Sequence, residues 1–312
     1  MKDLTIATFI SNNEKCNKDF FKFVEEIKEN KKVEIIVFCD KKIDINNAEI
    51  KQVVGKGITK YRRIIELIQI SKSNNILCID NDITINYKSL IEFIDEFIKK
   101  DYDIGWGKIK IREVKKFIPN LIRIDKNLSH DFIRPFLWNT NIGISVPGQV
   151  FMLKRDSFLN KLPKIDTVYD DLTIGMIARK NKFKFLYSKL ILGSETPKIN
   201  FGELLKQRIR WSKGMAQSMD NGIKNNMLRY VVIHAFMYHL LWIPYYLLLA
   251  IIGKYSMIMS SIFFILTSLC LAELNIKDVF WAICYMLIFP IIHSIWCIYF
   301  IYNLIILKIK SG

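Results

Sequence analysis

Charged residues are almost absent from the C-terminal quarter of this 312-residue chain. The whole chain contains 46 Lys and Arg against 30 Asp and Glu, whereas residues 230–312 contain four lysines, no arginine and two acids. Residues 1–229 therefore carry +14 of the chain's formal charge of +16. This segregation predicts a basic N-terminal domain and an apolar C-terminal region. With 51% hydrophobic residues and six cysteines outside any CxxC pair, the chain is neither disordered nor a disulfide scaffold.

Three uncharged runs in the apolar region are candidates for membrane helices, at residues 230–252, 255–272 and 279–307. A transmembrane helix needs about 20 apolar residues, so the first run suffices and the second is marginal. The third predicts either one tilted helix or a pair broken near Pro290. Buried helices of a soluble core are the alternative, but their apolar runs are usually about 10–14 residues long. We therefore expect a transmembrane region of two to four helices at 230–312.

Basic residues cluster just before the first apolar run and predict the orientation of the protein. The positive-inside rule places this flank, and the N-terminal domain with it, in the cytoplasm. The expected location is therefore the cell membrane, specifically the inner membrane of a bacterium, with several crossings. The residues of the flank are Lys206, Arg208, Arg210, Lys213, Lys224 and Arg229.

The N-terminal domain alternates two kinds of apolar pattern. Short apolar runs predict buried strands at residues 4–10, 33–39 and 75–79. Apolar residues at helical spacing predict helices at residues 18–30, 60–72 and 87–99. This order predicts an α/β fold with a parallel sheet and right-handed crossovers. Ligands of such sheets bind beyond the carboxyl ends of the strands, so the site is expected there.

Two carboxylates, Asp80 and Asp82, follow the third predicted strand. At positions i and i+2 they can share a divalent cation with a diphosphate, because Mg²⁺ and Mn²⁺ prefer oxygen ligands. The alternative is a polar turn that caps the next helix. Polar residues that include Glu14 and Asp40 follow the first two strands, and they suit the hydrogen-bonding groups of a nucleoside.

A second acidic pair, Asp170 and Asp171, opens another predicted helix. Carboxylates at a helix start cap its free N–H groups and interact favourably with its dipole. The sharper interpretation is that one carboxylate is a general base and the other orients the site.

A third motif, Gln207, Arg210 and Trp211, precedes the first apolar run. On a helix these residues share one face. The guanidinium and the amide can orient a diphosphate, and the indole offers a flat surface for a sugar ring. A basic helix at lipid headgroups, with Trp211 as its interface anchor, is the alternative.

In this order the motifs resemble those of the membrane-integrated family 2 glycosyltransferases, which include cellulose, chitin and hyaluronan synthases and ceramide glucosyltransferases. That family has an Asp after an early strand, a DxD, an acidic pair ending in Asp, and QxxRW ahead of membrane helices. The resemblance covers residues 4–214 and the apolar region. It implies a GT-A nucleotide-sugar-binding fold, with a mixed, mainly parallel sheet flanked by helices, followed by C-terminal transmembrane helices. The domains expected are a catalytic domain at 1–200, interface helices at 201–229 and the membrane region at 230–312.

The resemblance also implies roles for the motif residues. Mg²⁺ or Mn²⁺ would be held by Asp82 and Asp80. Asp171, supported by Asp170, would take the proton from an acceptor hydroxyl in a single displacement with inversion. Trp211 and Gly148 would line the acceptor site. In the basic segment 55–63, the candidates to face the nucleotide are Lys56, Lys60 and Arg62, of which Arg62 is the assigned residue. The donor, a nucleotide sugar and most often a UDP-sugar, would therefore meet Glu14, Asp40, Arg62, Asp80, Gln207 and Arg210.

The acceptor class follows from the small apolar region. Two to four helices favour transfer to a membrane lipid or a lipid-linked glycan over processive polysaccharide synthesis, which is the runner-up. An inactive, membrane-tethered nucleotide-binding protein is an alternative of another class. A transporter is disfavoured because the apolar runs lack acidic and basic residues other than histidine. Nucleic acid is not an expected partner, because the basic residues are scattered among acids and match no binding motif.

Overall fold

The computed structural model describes residues 3–11, 17–29, 31–44, 49–165 and 167–311. The chain divides into two compact units. The first, here called the sheet unit, consists of residues 1–110 and 144–196, and the second, the helical unit, consists of residues 111–143 and 197–312. Residues 111–143 carry none of the sequence motifs, yet they belong with the C-terminal region.

An eight-stranded mixed sheet forms the sheet unit. In chain order the strands are β1 Leu4–Ile10, β2 Val33–Cys39, β3 Ile50–Val54, β4 Asn75–Asp80, β5 Ile83–Ile85, β6 Ile104–Ile111, β7 Val150–Lys154 and β8 Phe185–Glu195. The spatial order is β3-β2-β1-β4-β7-β6-β8-β5. The pairs among β3, β2, β1 and β4 are parallel, whereas β4–β7, β6–β7 and β5–β8 are antiparallel. The predicted parallel order is thus correct for the first half of the unit, and the mixed sheet with flanking helices is confirmed.

The helices in chain order are α1 Lys18–Lys28, α2 Lys60–Ile70, α3 Tyr87–Lys99, α4 Phe117–Asn127, α5 Arg134–Asn139, α6 Arg155–Phe158, α7 Asp170–Lys180, α8 Phe201–Lys224, α9 Leu228–Ala235, α10 Trp242–Tyr255, α11 Met257–Leu271 and α12 Ile276–Ser311. Side-chain oxygens of Asn17, Thr59 and Asn86 cap the first three. The predicted first three helices are confirmed within two residues at their ends. The sequence prediction missed β3, which lies between β2 and α2, and the short β5.

The core of the sheet unit lies between the sheet and the apolar faces of its helices. β1 and β2 are buried along their whole length, as expected for central parallel strands. β7 runs against β4, so that Val150 stands opposite Ile79 and the backbone N–H of Asp80 donates to the carbonyl of Gln149 at 2.8 Å. The start of β7 therefore meets the carboxyl end of β4, and residues from both can contribute to one site.

The helical unit has its own core, in which α4 and α8 pack on α12. Leu121, Ile124, Leu204, Tyr285 and Phe289 belong to one buried cluster. At one end, Arg123 of α4 forms a bidentate ion pair with Asp278 of α12, with N–O distances of 2.7 and 2.6 Å. Two π-helical segments, Leu128–Ile133 and Phe236–Leu240, continue α4 and α9.

One helix in the described part of the chain is long and apolar enough to cross a membrane. It is Ile276–Ile309, with a mean hydropathy of 1.9. Leu228–Leu240 and Trp242–Tyr255 pass the same test only as a pair, bent by 54°. Met257–Leu271 is shorter than a span. Of the two forms predicted for the third apolar run, the single long helix is observed, with Pro290 inside it. The range of two to four crossings is thereby reduced to one candidate span, or two if the bent pair counts as one.

Candidate active site

The ammonium group of Lys60 connects two acidic motifs that are about 90 residues apart in sequence. Its Nζ lies 2.5 Å from Oδ1 of Asp80 and 3.4 Å from Oδ2 of Asp170. It also donates to the carbonyl of Gly148 at 2.7 Å. The DxD and the second acidic pair therefore belong to one site in the sheet unit.

Each of these groups comes from the end of an element. Lys60 is the first residue of α2, Asp80 is the last of β4, and Asp170 is the first of α7, while Gly148 lies two residues before β7. The rings of Phe9 and Phe151 flank the ammonium, with centroids 5.5 and 5.9 Å from Nζ. The site thus lies at the carboxyl edge of the parallel strands, where the sequence predicted it.

Burial and the excess of carboxylates shift the pKa values of Asp80 and Lys60. Burial raises the pKa of Asp80, Lys60 lowers it in part, and Asp170 and Asp82 raise it again, to about 7. Burial alone would lower the pKa of Lys60, but Asp170 and Asp80 raise it above its ordinary value. Lys60 is therefore a permanent cation that does not fully compensate the surrounding carboxylates.

Asp171 lies next to Gly148. One carboxylate oxygen, Oδ1, accepts from the backbone N–H of Leu172 at 2.8 Å. A Cβ atom added to Gly148 would stand 3.7 Å from the other oxygen, Oδ2, and 3.7 Å from Nζ of Lys60. The absence of a side chain at residue 148 thus leaves room beside a carboxylate and a cation.

Asp40 is held by a buried arginine of α2. Arg63 donates to Oδ1 of Asp40 at 2.5 Å and to the carbonyls of Gly55 and Ile10 at 3.0 and 3.3 Å. It therefore ties together the chain at the ends of β1, β2 and β3. Arg62, the residue assigned from the sequence, is exposed on another face of α2, so its predicted contact with the nucleotide stays a prediction.

The other residues in and around the DxD differ in burial and in their hydrogen-bond partners. Asn81 is buried, and its Oδ1 accepts from the backbone N–H of Asn17 at 2.9 Å, which anchors the start of α1. Asp82 is exposed and raises the pKa of Asp80. Gln149 donates to Glu195 at 3.0 Å, which connects the start of β7 to the end of β8. Glu14, predicted to face the nucleoside, lies outside the described residues.

The third motif lies on α8 in the helical unit. Gln207 and Trp211 are half-buried and Arg210 is exposed, at positions that share one helix face. Arg208, between them in sequence, is buried and stacks on the indole of Trp211, with Cζ 4.4 Å from the ring centroid. Their predicted roles toward a diphosphate and a sugar stay predictions.

Comparison with known proteins shows the family. Residues 75–307, about three quarters of the chain, match the family described as "Glycosyl transferase family group 2". The chain belongs to this family. It is therefore a glycosyltransferase, and its DxD, acidic pair and QxxRW segment all fall within the matched residues. No curated protein matches the chain at a significant level of sequence similarity.

Two solved structures show the same fold as this glycosyltransferase at low sequence identity. One is a mannosyltransferase from Pyrobaculum calidifontis in complex with GDP-Man and Mn²⁺, with 13% identity, 97% of this chain and 87% of that chain covered, and a TM-score of 0.55. The other is glucosyl-3-phosphoglycerate synthase from Mycobacterium tuberculosis, with 11% identity, 70% and 79% covered, and a TM-score of 0.50. These likenesses confirm the GT-A fold.

The carboxylates of the glycosyltransferase fit a divalent cation. Asp80 and Asp82 offer hard oxygen ligands. Burial, and to a lesser extent Asp170 and Asp82, raise the pKa of Asp80 despite Lys60, so a further cation would stabilise its ionised form. No cluster of three or more His, Cys, Asp or Glu suited to a metal occurs among the described residues. The pair Asp80 and Asp82 is the kind of site in which one or two carboxylates hold a cation together with substrate phosphates.

Sequence reasoning missed two basic residues of the site. Lys60 was one of three candidates and was not chosen, and Arg63 was not considered. The available signal was helical spacing, because residues 60 and 63 are one turn apart and share a face at the N-terminus of α2.

Proposed function

We propose that this glycosyltransferase moves a sugar from a nucleotide sugar to a membrane lipid or a lipid-linked glycan, with inversion at the anomeric carbon. The observation that carries the proposal is the position of Lys60, which brings the DxD carboxylate Asp80 and the acidic pair into one site. A donor diphosphate and an acceptor hydroxyl need neighbouring groups of these two kinds.

Asp80 and Asp82 would hold Mg²⁺ or Mn²⁺, which when bound acts as a Lewis acid on the departing diphosphate. Lys60 lowers the raised pKa of Asp80 in part and would add a positive charge beside the phosphates. Asp40, fixed by Arg63, offers its carboxylate to the nucleoside, together with Glu14 and Arg62. Gln207 and Arg210 would bind the diphosphate.

Asp171 would act as the general base. Its Oδ2 lies beside Gly148, where residue 148 carries no side chain, and we expect the acceptor hydroxyl to approach there. The hydroxyl oxygen attacks the anomeric carbon as the bond to the nucleoside diphosphate breaks, and Asp171 takes the hydroxyl proton. A single displacement of this kind converts an α-linked donor into a β-glycoside. Trp211 would stack on the acceptor sugar.

A bilayer as the source of the acceptor is supported by the surface of the helical unit. Large apolar side chains of α10, α11 and α12 are exposed, among them Met257 at 81%, Ile258 at 74% and Ile276 at 83%. A contiguous surface of this kind marks a membrane or a protein interface. We place the sheet unit on the cytoplasmic side, because Lys206, Arg210 and Lys213 precede the apolar helices.

The proposal is tested with membranes that contain the full chain and a panel of radiolabelled UDP-sugars and GDP-sugars, with Mn²⁺ or Mg²⁺. The GDP arm is included because the Pyrobaculum mannosyltransferase was solved with GDP-Man. We expect label in the organic extract from one donor. Label in an insoluble polymer would favour the processive alternative, and no incorporation from any donor would refute the proposal.

The substitution Asp171→Asn tests whether Asp171 is the general base. It should lower turnover by about 100-fold or more, the usual size of a general-base contribution, while UDP or GDP still binds. Asp156→Asn, which changes an exposed acid on α6, should keep full turnover. Unchanged turnover in Asp171→Asn would show that another group takes the proton.

A further inference from the structure

Arg208 is a buried arginine within the QxxRW segment of α8. Its side chain is 5% exposed, whereas Arg210, two residues further along the helix, is exposed. Successive helical residues are about 100° apart, so these two arginines point in nearly opposite directions. Arg208 therefore belongs to the core of the helical unit rather than to the face that carries Gln207 and Arg210.

The carboxylate of Asp125 on α4 holds this arginine. Nη2 of Arg208 donates to Oδ2 of Asp125 at 2.6 Å, and the hydroxyl of Tyr285 on α12 donates to Oδ1 at 3.0 Å. Both oxygens of Asp125 are thus engaged, one by α8 and one by α12. A carboxylate held from two sides has little freedom to rotate, and neither has the guanidinium that it binds.

The guanidinium in turn lies against two aromatic rings. Its Cζ is 4.4 Å from the ring centroid of Trp211 and 5.6 Å from that of Phe289. Both distances are within the range of a cation–π interaction. The orientation of the half-buried Trp211 indole is therefore coupled, through Arg208, to a carboxylate that is 86 residues earlier in the sequence.

We propose that Asp125, Arg208 and Tyr285 are positioning residues that fix the indole of Trp211 as a stacking surface for the acceptor sugar. The acceptor role of Trp211 rests on the proposed function, but its fixation by the three residues does not. Arg208 lies over the indole, and Trp211 is half-buried, so part of the side chain is accessible to a ligand.

A neighbouring ion pair provides a matched control. Arg123 and Asp278 also join α4 to α12, with N–O distances of 2.7 and 2.6 Å. Their other side-chain contacts are Asn120 and Asn275, on α4 and just before α12. Asp278→Asn thus weakens the same pair of helices without removing a group that contacts Arg208.

The experiment is ¹⁹F NMR of the full chain labelled with 5-fluorotryptophan in detergent micelles. The chain contains six Trp, so six resonances are expected, and Trp211→Phe identifies that of Trp211. Asp125→Asn and Arg208→Lys should shift and broaden the Trp211 resonance, whereas Asp278→Asn should leave it in place. Arg208→Lys is informative because it keeps the charge for Asp125 but loses the planar group that stacks on the indole.

A second measurement uses the donor and acceptor that the nucleotide-sugar panel identifies. Asp125→Asn should raise the acceptor KM by about 10-fold and change the donor KM by less than about 2-fold, because displacement of a stacking group affects its own ligand. If the wild-type protein turns over no nucleotide sugar while the resonance responds as expected, the proposed function fails and the positioning network stands.

An unchanged Trp211 resonance in Asp125→Asn and Arg208→Lys would overturn the network, and so would an equal response to Asp278→Asn. The remaining five resonances report whether a variant is folded. If Asp125→Asn does not fold, Tyr285→Phe removes a single oxygen from the network and gives the same test, with a smaller shift expected.

Discussion

Replacement of Asp80 by Asn should stabilise the metal-free protein even though it abolishes glycosyl transfer. Asp80 is ionised at a site where burial and two neighbouring carboxylates oppose its charge. A pKa of about 7 in place of 3.8 means that ionised Asp80 costs about 4 kcal/mol of stability at pH 8, at about 1.4 kcal/mol per pKa unit. The attraction of Lys60 is already included in that pKa, but the Asn amide differs from a carboxyl group in its hydrogen-bonding groups and fits beside the Lys60 ammonium less well, which offsets part of the gain. We therefore expect a net stabilisation of about 2 kcal/mol.

Replacement of Asp40 by Asn should have the opposite effect. The Arg63 side chain is 7% exposed, and Asp40 is the carboxylate that compensates its charge, at 2.5 Å. Removal of one partner from a buried pair leaves an uncompensated charge and costs about 3 kcal/mol or more. Substitution of these two aspartates, both at the ends of parallel strands, should thus change the free energy of unfolding in opposite directions. Asp40 has Arg63 as its own partner. Asp80 is buried, shares Lys60 with Asp170 and has other carboxylates near it.

The assay is thermal unfolding of the full chain in detergent with EDTA, for wild type and both variants, with Asp156→Asn as the control. For a chain of this size, 1 kcal/mol corresponds to about 2–4 °C in Tm, so Asp80→Asn should raise Tm by about 4–8 °C at pH 8. The folded pKa of Asp80 is above its unfolded value. The folded state therefore binds a proton between about pH 4 and pH 7 that the unfolded state does not, and wild-type stability from this group rises as pH falls.

The advantage of Asp80→Asn should accordingly be largest at pH 8 and be lost near pH 4–5. A lower Tm for Asp80→Asn at pH 8 would refute the reasoning. An advantage that is the same at pH 8 and pH 5 would also refute it, because the effect would then not arise from the charge of Asp80.

Three further predictions concern the same site. Lys60→Met should raise the affinity for Mn²⁺ by about 10-fold, because it removes a competing cation from Asp80; titration calorimetry measures this, and weaker binding would contradict it. EDTA should abolish sugar transfer, and Mn²⁺ or Mg²⁺ should restore it in the radiolabel assay, whereas activity that persists in EDTA would remove the cation from the mechanism. Gly175→Ala should destabilise the protein by about 2 kcal/mol in thermal unfolding, because the added Cβ would lie 2.0 Å from the carbonyl oxygen of Ile144 on the segment against which α7 packs. Gly202→Ala, whose Cβ meets no atom closer than 3.6 Å, is its control, and equal effects of the two would contradict the packing argument.

The sequence predicted the parallel half of the fold because its strands are buried on both faces. Runs such as Val33–Cys39 are apolar throughout, and polar residues follow them at the edge where ligands bind. β3 was missed because only Ile50 of its five residues, Ile50–Val54, is buried, and because they include a lysine and a glutamine. The antiparallel strands were harder to predict, because their pairings, such as that of β7 with β4, depend on contacts distant in sequence.

The acidic members of the site could be predicted individually, but their association could not. Asp80, Asp170 and Asp171 were identified because their order along the chain, ahead of the QxxRW segment, resembles the motifs of a family, although each acidic pair alone also suits a helix cap. Nothing local indicates that one lysine binds both acidic motifs, since the contact depends on how α2 crosses the end of β4. Lys56, Lys60 and Arg62 are equivalent by composition. Lys56 precedes α2, and the helix phase separates Lys60 from Arg62.

The positions of Lys60 and Arg63 on α2 explain their different contacts. Lys60 and Arg63 are one turn apart, so both reach the carboxyl edge of the sheet from a single helix end. Arg63 donates to Asp40 and to two carbonyls, and in this way it holds together the chain at the ends of β1, β2 and β3. Lys60 has a flexible side chain and more carboxylates around it than its single charge can neutralise. The site therefore has a net negative charge. Under the proposed function, a divalent cation held by Asp80 and Asp82 together with the donor diphosphate would balance that charge, and we therefore expect that donor binding completes the site.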